Sequence, residues 1–212
     1  MRLKRNFFNR STLIVSKELL GKYLVRKING NLIRAKITET EAYCGRSDLA
    51  NHASKGVTPR TKVMFGPPGH AYVYLIYGMY HCFNVVTREE GYPEAVLIRG
   101  CELINSKHEI RNTKQIQNSN NRNSKRLEFK NYDLDIISNF DIRISNLKLS
   151  GPGKLCRELK IDRILNGVDL CNNGELWIEN RKGKQPMKIK RGKRVGVDYA
   201  GKWKDKLWRF YL

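Results

Sequence analysis

The chain has 212 residues, enough for one domain with a buried core, and 41 Lys and Arg against 20 Asp and Glu leave a formal net charge of +21. Such a balance attracts polyanions, because binding a phosphate backbone releases its condensed counterions. No apolar run is long enough to span a bilayer, and no charged-then-apolar signal segment opens the chain. The expectation is therefore a cytoplasmic protein with no membrane partner, nucleoid-associated if the source is bacterial.

Taken in order, Ser11 is a plausible N-cap for a short helix carrying Leu13, Val15, Leu19 and Leu20 and stopping at Gly21. Lys22 to Ile28 alternates as a strand. Asn29-Gly30 is a strong hairpin signal, because a type I′ turn needs positive φ at both central positions. The return strand, Leu32 to Tyr43, carries Glu39, Glu41 and Tyr43 on one face and should deliver Glu41 to the sheet's edge or mouth.

Gly45 to Gly69 reads as loop. Ala71 to Ile76 and His81 to Thr87 read as two strands, with Tyr72 and Tyr74 on one face. Tyr77-Gly78-Met79-Tyr80 joins them, so large side chains stand where polar ones are usual. Ala95 to Cys101 is a further apolar strand ending near Arg99. Antiparallel pairs with few helices between them indicate α+β rather than a parallel sheet. Arg111 to Arg126 holds five Asn, five Lys or Arg and no acid, and is expected to be a mobile insertion.

Leu149-Ser-Gly-Pro-Gly-Lys-Leu leads into a helix over Lys154 to Leu159, whose glycines would offer backbone N–H groups to a phosphate. It is no Walker A motif, since Leu155 follows Lys154. Arg181 to Arg194 has eight basic residues in fourteen, and Trp203, Trp208, Phe210 and Tyr211 read as C-terminal core. The five cysteines (Cys44, Cys82, Cys101, Cys156, Cys171) are scattered without a C-x-x-C pair. They read as buried thiols in a reducing compartment, with no metal and no cofactor expected.

Glu41 is the residue most suited to chemistry: a carboxylate beside Tyr43 can hold and deprotonate a water. Glu39, on the same face, is its obvious rival. Tyr43, His52, Tyr72, Tyr74, Tyr77 and Tyr80 are each more often packing residues. Grouped beside an acid, they could sandwich a flat, electron-poor ring. Tyr77, before Gly78, is a candidate wedge between base steps.

Those residues carry a resemblance. Glu-Thr-Glu-Ala-Tyr (Glu39 to Tyr43), the His52 loop ending Thr-Pro-Arg-Thr (Thr58 to Thr61), Tyr-Val-Tyr-x-x-Tyr-Gly-Met-Tyr (Tyr72 to Tyr80), Asn84, Ala-Val-Leu-Ile-Arg (Ala95 to Arg99), Gly-Pro-Gly-Lys-Leu and the closing Arg-Val-Gly-Val follow in the order of the alkyladenine (3-methyladenine) DNA glycosylases. The chain resembles that family from about Leu13 to Leu212, apart from the Asn-rich insertion. The resemblance implies one domain over residues 1–212, α+β, with a mainly antiparallel curved sheet, peripheral helices and a protruding β-hairpin. It implies that Glu41 is the general base, that Tyr43, His52, Tyr72, Tyr74 and Asn84 bind a flipped alkylated purine, and that Tyr77 fills the gap in the duplex. Arg60, Gly78, Met79, Arg99 and Lys154 would contact DNA. The expected partner is damaged double-stranded DNA, bound by a monomer.

Two other readings stand beside it. Leu149 to Gly153 could belong to a helix-hairpin-helix glycosylase with Asp169 as the base, or the chain could be a non-catalytic nucleic-acid-binding module whose aromatic residues stack on single strands.

Overall fold

A computed structural model describes residues 1–104, 147–181, 183 and 187–212. The insertion expected at 111–126 lies outside the described residues. Among them, two short helices, α1 (Arg5–Phe8) and α2 (Thr12–Leu19), precede the hairpin of β1 (Tyr23–Ile28) and β2 (Asn31–Tyr43). There follow β3 (Ala71–Ile76), β4 (Tyr80–Thr87), β5 (Glu94–Ile104), β6 (Lys148–Ser150), α3 (Pro152–Glu158), β7 (Leu176–Glu179), β8 (Lys190–Gly192) and β9 (Arg209–Tyr211). The strands form one curled antiparallel sheet in the order β3-β4-β5-β2-β1-β7, with β6 beside β5, β9 beside β2 and β8 on β9. The class is α+β.

The Asn29-Gly30 turn forms as expected, with φ of 48° and 83°. Helix α2 also forms, but Ser11 makes no side-chain cap; its backbone carbonyl takes the Ile14 and Val15 N–H groups instead. The buried face of α2 is Thr12, Val15, Ser16 and Leu19, the i, i+3, i+4, i+7 stripe of a helix on a core. Its two hydroxyl residues are anchored: Thr12 bonds Thr87, and Ser16 bonds Thr40 of β2. Gly21 ends the helix at φ +78°, where a Cβ would fall 2.6 Å from the Met187 sulfur. Helix α1, only four residues long, leaves no periodic signal in the sequence.

Strand β2 is the centre of the sheet. One edge pairs with β5; the other pairs with β1 up to Lys36 and with β9 from Glu39 to Glu41. The β2–β5 register slips twice. Ile37 faces Cys101 and Glu39 faces Gly100, leaving Thr38 extra on β2; Thr40 then faces Ile98, leaving Arg99 extra on β5. Each slip flips its strand. On β2 the core takes Ala35 and Ile37 before the irregularity, and Thr40 and Ala42 after it. On β5 it takes Val96 and Ile98, then Cys101 and Leu103. Without Thr38 as the inserted residue, Glu39 and Glu41 would follow Ala35 and Ile37 into the apolar core.

Candidate active site

The paired slips turn Glu41 and Arg99 onto the same side of the sheet. Glu41 does not lie at a sheet edge, as its place near a strand end implied. It sits between two paired strands, opposite Leu97 of β5 and Arg209 of β9, with no solvent exposure. One carboxylate oxygen accepts the Val195 N–H at 3.0 Å and the other accepts the Tyr43 hydroxyl at 2.9 Å. The Arg99 Nε stands 3.7 Å from the first oxygen and 3.2 Å from Glu39. Burial raises the Glu41 pKa above the ordinary carboxylate range, and Arg99, the Val195 N–H and the Tyr43 hydroxyl oppose that rise.

A cavity of about 370 Å³ opens in front of this carboxylate, within the roughly 300–1,000 Å³ of small-molecule sites. Tyr43, His52, Arg60, Tyr72, Tyr74, Tyr77, Asn84 and Arg99 all line it, as do Val195 and Tyr199. Glu41 is behind the lining, one layer back, touching three residues that form it: Tyr43, Arg99 and Val195.

The aromatic wall comes from two places. Tyr72 and Tyr74 alternate on β3, with ring centroids 5.1 Å apart. His52 meets the Tyr74 ring edge-on at 4.6 Å, and its Nδ1 lies 3.0 Å from the Tyr72 hydroxyl. Burial, with Arg60 and Lys55 nearby, holds the His52 pKa down to about 4. The ring is therefore neutral at pH 7. Asn84 on β4 faces Tyr72 and donates to its carbonyl at 3.1 Å, which sets the orientation of the amide in the wall.

The segment 45–69 is more ordered than its glycines and prolines indicated. It contains 3₁₀ turns at His52–Lys55 and Lys62–Phe65, pinned by buried polar groups. Asn51 caps the first turn by accepting the Ala53 N–H, and its amide donates to the Gly45 and Pro93 carbonyls. His52 is thus presented from a fixed support.

At the β3–β4 hairpin tip, Tyr77 is 86% exposed with φ +50°, and Gly78 follows at φ +69°. A bulky residue in the left-handed region stores strain of about 1 kcal/mol or more. Met79 is also exposed. Gly78, Met79 and the exposed Lys154 lie outside the cavity lining; Arg60 lies within it, its guanidinium 4.8 Å from the Tyr74 ring centroid. Helix α3 opens on Pro152, which has no N–H to offer a phosphate. Its Gly153 lets the helix pack on Tyr80: a Cβ there would fall 3.1 Å from that ring. Arg99, expected at DNA, points its Nε at the two carboxylates.

Asp169 is not part of this arrangement. It pairs with Arg5 at 2.6 Å, accepts from Asn172 and the Cys171 N–H, and lines no part of the cavity. Among the described residues the α-helices have four, eight and seven residues, too little for a helical glycosylase scaffold. Of the cysteines, Cys82, Cys101 and Cys156 are buried and Cys44 and Cys171 half-buried, all as free thiols. Of the C-terminal aromatics only Phe210 is fully buried. No group of three or more His, Cys, Asp or Glu among the described residues has metal-site geometry, and no helix there is long and apolar enough to cross a membrane.

Three groups near Glu41 carried no role in the sequence reading: the Val195 N–H and, against the Tyr43 ring, the buried Arg194 with its partner Asp48. Arg194 was visible as the end of a basic run and, with Val195, as part of Arg-Val-Gly-Val, and a backbone donor leaves no side-chain signal.

A family model for methylpurine-DNA glycosylase matches residues 6–212. A relative from Methanocella arvoryzae, provisionally named a 3-methyladenine DNA glycosylase, is 46% identical over 99% of this chain and 91% of its own length. Relatives of the same name from Alkaliphilus oremlandii and Desulfitobacterium hafniense are each 46% identical over the full chain, covering 96% and 95% of their own lengths.

Proposed function

The chain belongs to the methylpurine-DNA glycosylase family and is a DNA N-glycosylase, and from that premise we propose that Glu41 activates a water against the sugar of an alkylated purine held in the aromatic cavity. The observation that carries this reading is the state of Glu41. It is without exposure, it sits one layer behind the cavity, and each oxygen is aimed by a single donor. A carboxylate has about four acceptor positions, so room remains for a water's O–H. The Val195 N–H and Tyr43 hydroxyl fix its direction at no cost in reorganisation.

The substrates proposed are purines made cationic by alkylation, such as 3-methyladenine and 7-methylguanine. The damaged nucleotide leaves the stack and enters the cavity while Tyr77 occupies the gap in the duplex. Against Tyr43, Tyr72 and Tyr74 a cationic ring gains roughly 0.5–2 kcal/mol over a neutral one. A neutral His52 adds no repulsion. Water oxygen then bonds to C1′ as the C1′–N bond breaks; the water's proton passes to Glu41, and the cationic base departs neutral, needing no acid. The ionised carboxylate also stabilises charge developing on the sugar. No lysine lines the cavity among the described residues, so the product is free base and an abasic site without strand cleavage. Hypoxanthine and ethenoadenine are neutral and need a proton on the leaving group, which makes them slower substrates. The enzyme acts on damaged double-stranded DNA in the cytoplasm, as a monomer.

The test is chromatography of bases released from methylated, hypoxanthine- and ethenoadenine-containing duplexes. Wild type should release methylated purines fastest, and Glu41→Gln should bind the lesion duplex yet release almost nothing. Release by Glu41→Gln near the wild-type rate would remove Glu41 from the chemistry.

A further inference from the structure

Two charges lie buried behind the cavity and have no part in the chemistry above. The side chains of Asp48 and Arg194 are both fully shielded from solvent. They meet as a fork, Nη1 to Oδ2 at 2.5 Å and Nη2 to Oδ1 at 2.8 Å. The carboxylate also accepts the Cys44 and Ala50 N–H groups, each at 3.1 Å. The guanidinium donates to the Ala42 carbonyl at 3.0 Å and to the Trp203 carbonyl at 3.1 Å. Well-packed apolar residues stabilise a fold as well as a buried ion pair does, so stability alone gives this pair little reason to be ionic.

Its place in the chain gives a better one. Glu41 has two hydrogen-bond donors, and the pair touches the support of each. Arg194 directly precedes Val195, whose N–H is the first donor. The Arg194 guanidinium lies 4.9 Å from the ring centroid of Tyr43, whose hydroxyl is the second. Its bond to the Ala42 carbonyl ties the same guanidinium to the end of β2, and it also lies 5.1 Å from the Trp208 ring centroid. Asp48 and Arg194 are 146 residues apart. Their fork joins the loop after β2 to the segment after β8, and each donor to Glu41 stands beside that join.

We propose that Asp48 and Arg194 act together as a positioning pair that holds the Tyr43 ring and the Val195 N–H on Glu41. This rests on the reading of Glu41 as general base. Around Glu41 the other charged or titratable groups are Glu39 and Tyr43 on its own strand, Arg99 on β5, Cys82 on β4 and, across the pairing with β9, Arg209. Asp48→Asn and Arg194→Lys leave all of these in place and loosen how the two donors are held; loss of the Asp48 charge by itself favours the ionised Glu41, so an upward shift in that variant comes from the donors and not from the charge. Loosening the donors destabilises the ionised carboxylate, so Glu41 would hold its proton to higher pH.

The experiment is single-turnover base release from a methylated duplex as a function of pH, for the full-length wild type, Asp48→Asn, Arg194→Lys and Glu41→Gln, with lesion-duplex binding measured alongside. Lysine keeps the charge of Arg194 but cannot fork onto Asp48 or lie flat on Tyr43. In both pair variants the acid limb should move upward by about one pH unit, about a tenfold loss of rate on that limb, with recovery toward the wild-type plateau at higher pH and lesion binding retained. Profiles that superimpose on wild type, or that fall by one factor at every pH, overturn the positioning role. If Asp48→Asn fails to fold, Arg194→Lys decides the matter alone. Release by Glu41→Gln at the wild-type rate would defeat the reading of Glu41 itself, whatever the pair variants do.

Discussion

Glu39 and Glu41 stand two residues apart on one strand, face the same side and share Arg99, yet their surroundings differ in kind. Glu39 is partly open to solvent, meets a second guanidinium, Arg209, at 3.4 Å, and borders a separate cavity of about 470 Å³. Lys36, Glu102, Lys148 and Arg209 border that cavity too. Glu41 is sealed, is met by one N–H and one hydroxyl, and backs onto a smaller cavity walled by rings. The larger hollow is thus the less suited to a purine. What sets the proposed base apart from its neighbour is the medium and the donors around it, more than its position along the strand or the size of the nearest void.

The contrast can be broken most easily by neutralising each acid in turn. Glu41→Gln should slow single-turnover base release by roughly 10²–10⁴-fold, the usual worth of a general base, and Glu39→Gln should slow it by less than about tenfold. Equal losses would erase the distinction. A smaller effect is expected at the hairpin tip. Tyr77→Ala should weaken lesion-duplex binding by roughly 1–3 kcal/mol, the worth of one base stack, and should quench the fluorescence rise of a 2-aminopurine opposite the tip. Because Tyr77 sits at φ +50°, Tyr77→Gly should raise stability by about 1 kcal/mol in denaturant titration while binding the lesion less well.

The cavity side of the comparison also carries a pH signature. His52, held to a pKa of about 4, should stay neutral from pH 8 to pH 5, with its imidazole resonances unmoved by NMR. Its folded pKa lies below its unfolded value, so the unfolded chain takes up the proton first. Its contribution to stability is therefore undiminished above pH 6.5 and is lost as pH falls toward 4. The smallest effect belongs to Asp169. Although burial pushes its pKa up, the Cys171 N–H, the Asn172 amide and Arg5 outweigh that and hold it low. Asp169→Asn should cost at most about 1 kcal/mol, as partly exposed ion pairs do, and leave base release unchanged; a dead Asp169→Asn enzyme would revive the helix-hairpin-helix reading.

Local signals were legible in the sequence and long-range ones were not. Asn29-Gly30 announces its own turn, and Tyr72 with Tyr74 announce a common face, because both depend on neighbours one or two residues away. The alternation from Glu39 to Tyr43 is likewise real. The flip just before it is not visible, because an inserted Thr38 has the same side chain whether it is paired or extra. Hence Glu41 could be proposed as the acid from its neighbours, while its seat between β5 and β9 could not be read. The order of segment 45–69 comes from Asp48, Asn51 and Thr61 finding distant or backbone partners, which polar residues in a Gly- and Pro-containing stretch do not advertise. Arg194 shows the same limit: it is the arginine of Arg-Val-Gly-Val at the end of a basic run, and its buried partner lies 146 residues away.

The most direct measurement is the pH dependence of single-turnover base release from a methylated duplex, recorded for wild type and Glu41→Gln. A buried general base requires a wild-type acid limb above the ordinary glutamate value of about 4.3, and a Gln variant that is slow at every pH and has no such limb. A Gln variant that keeps both the limb and the wild-type plateau would show that another group does the work.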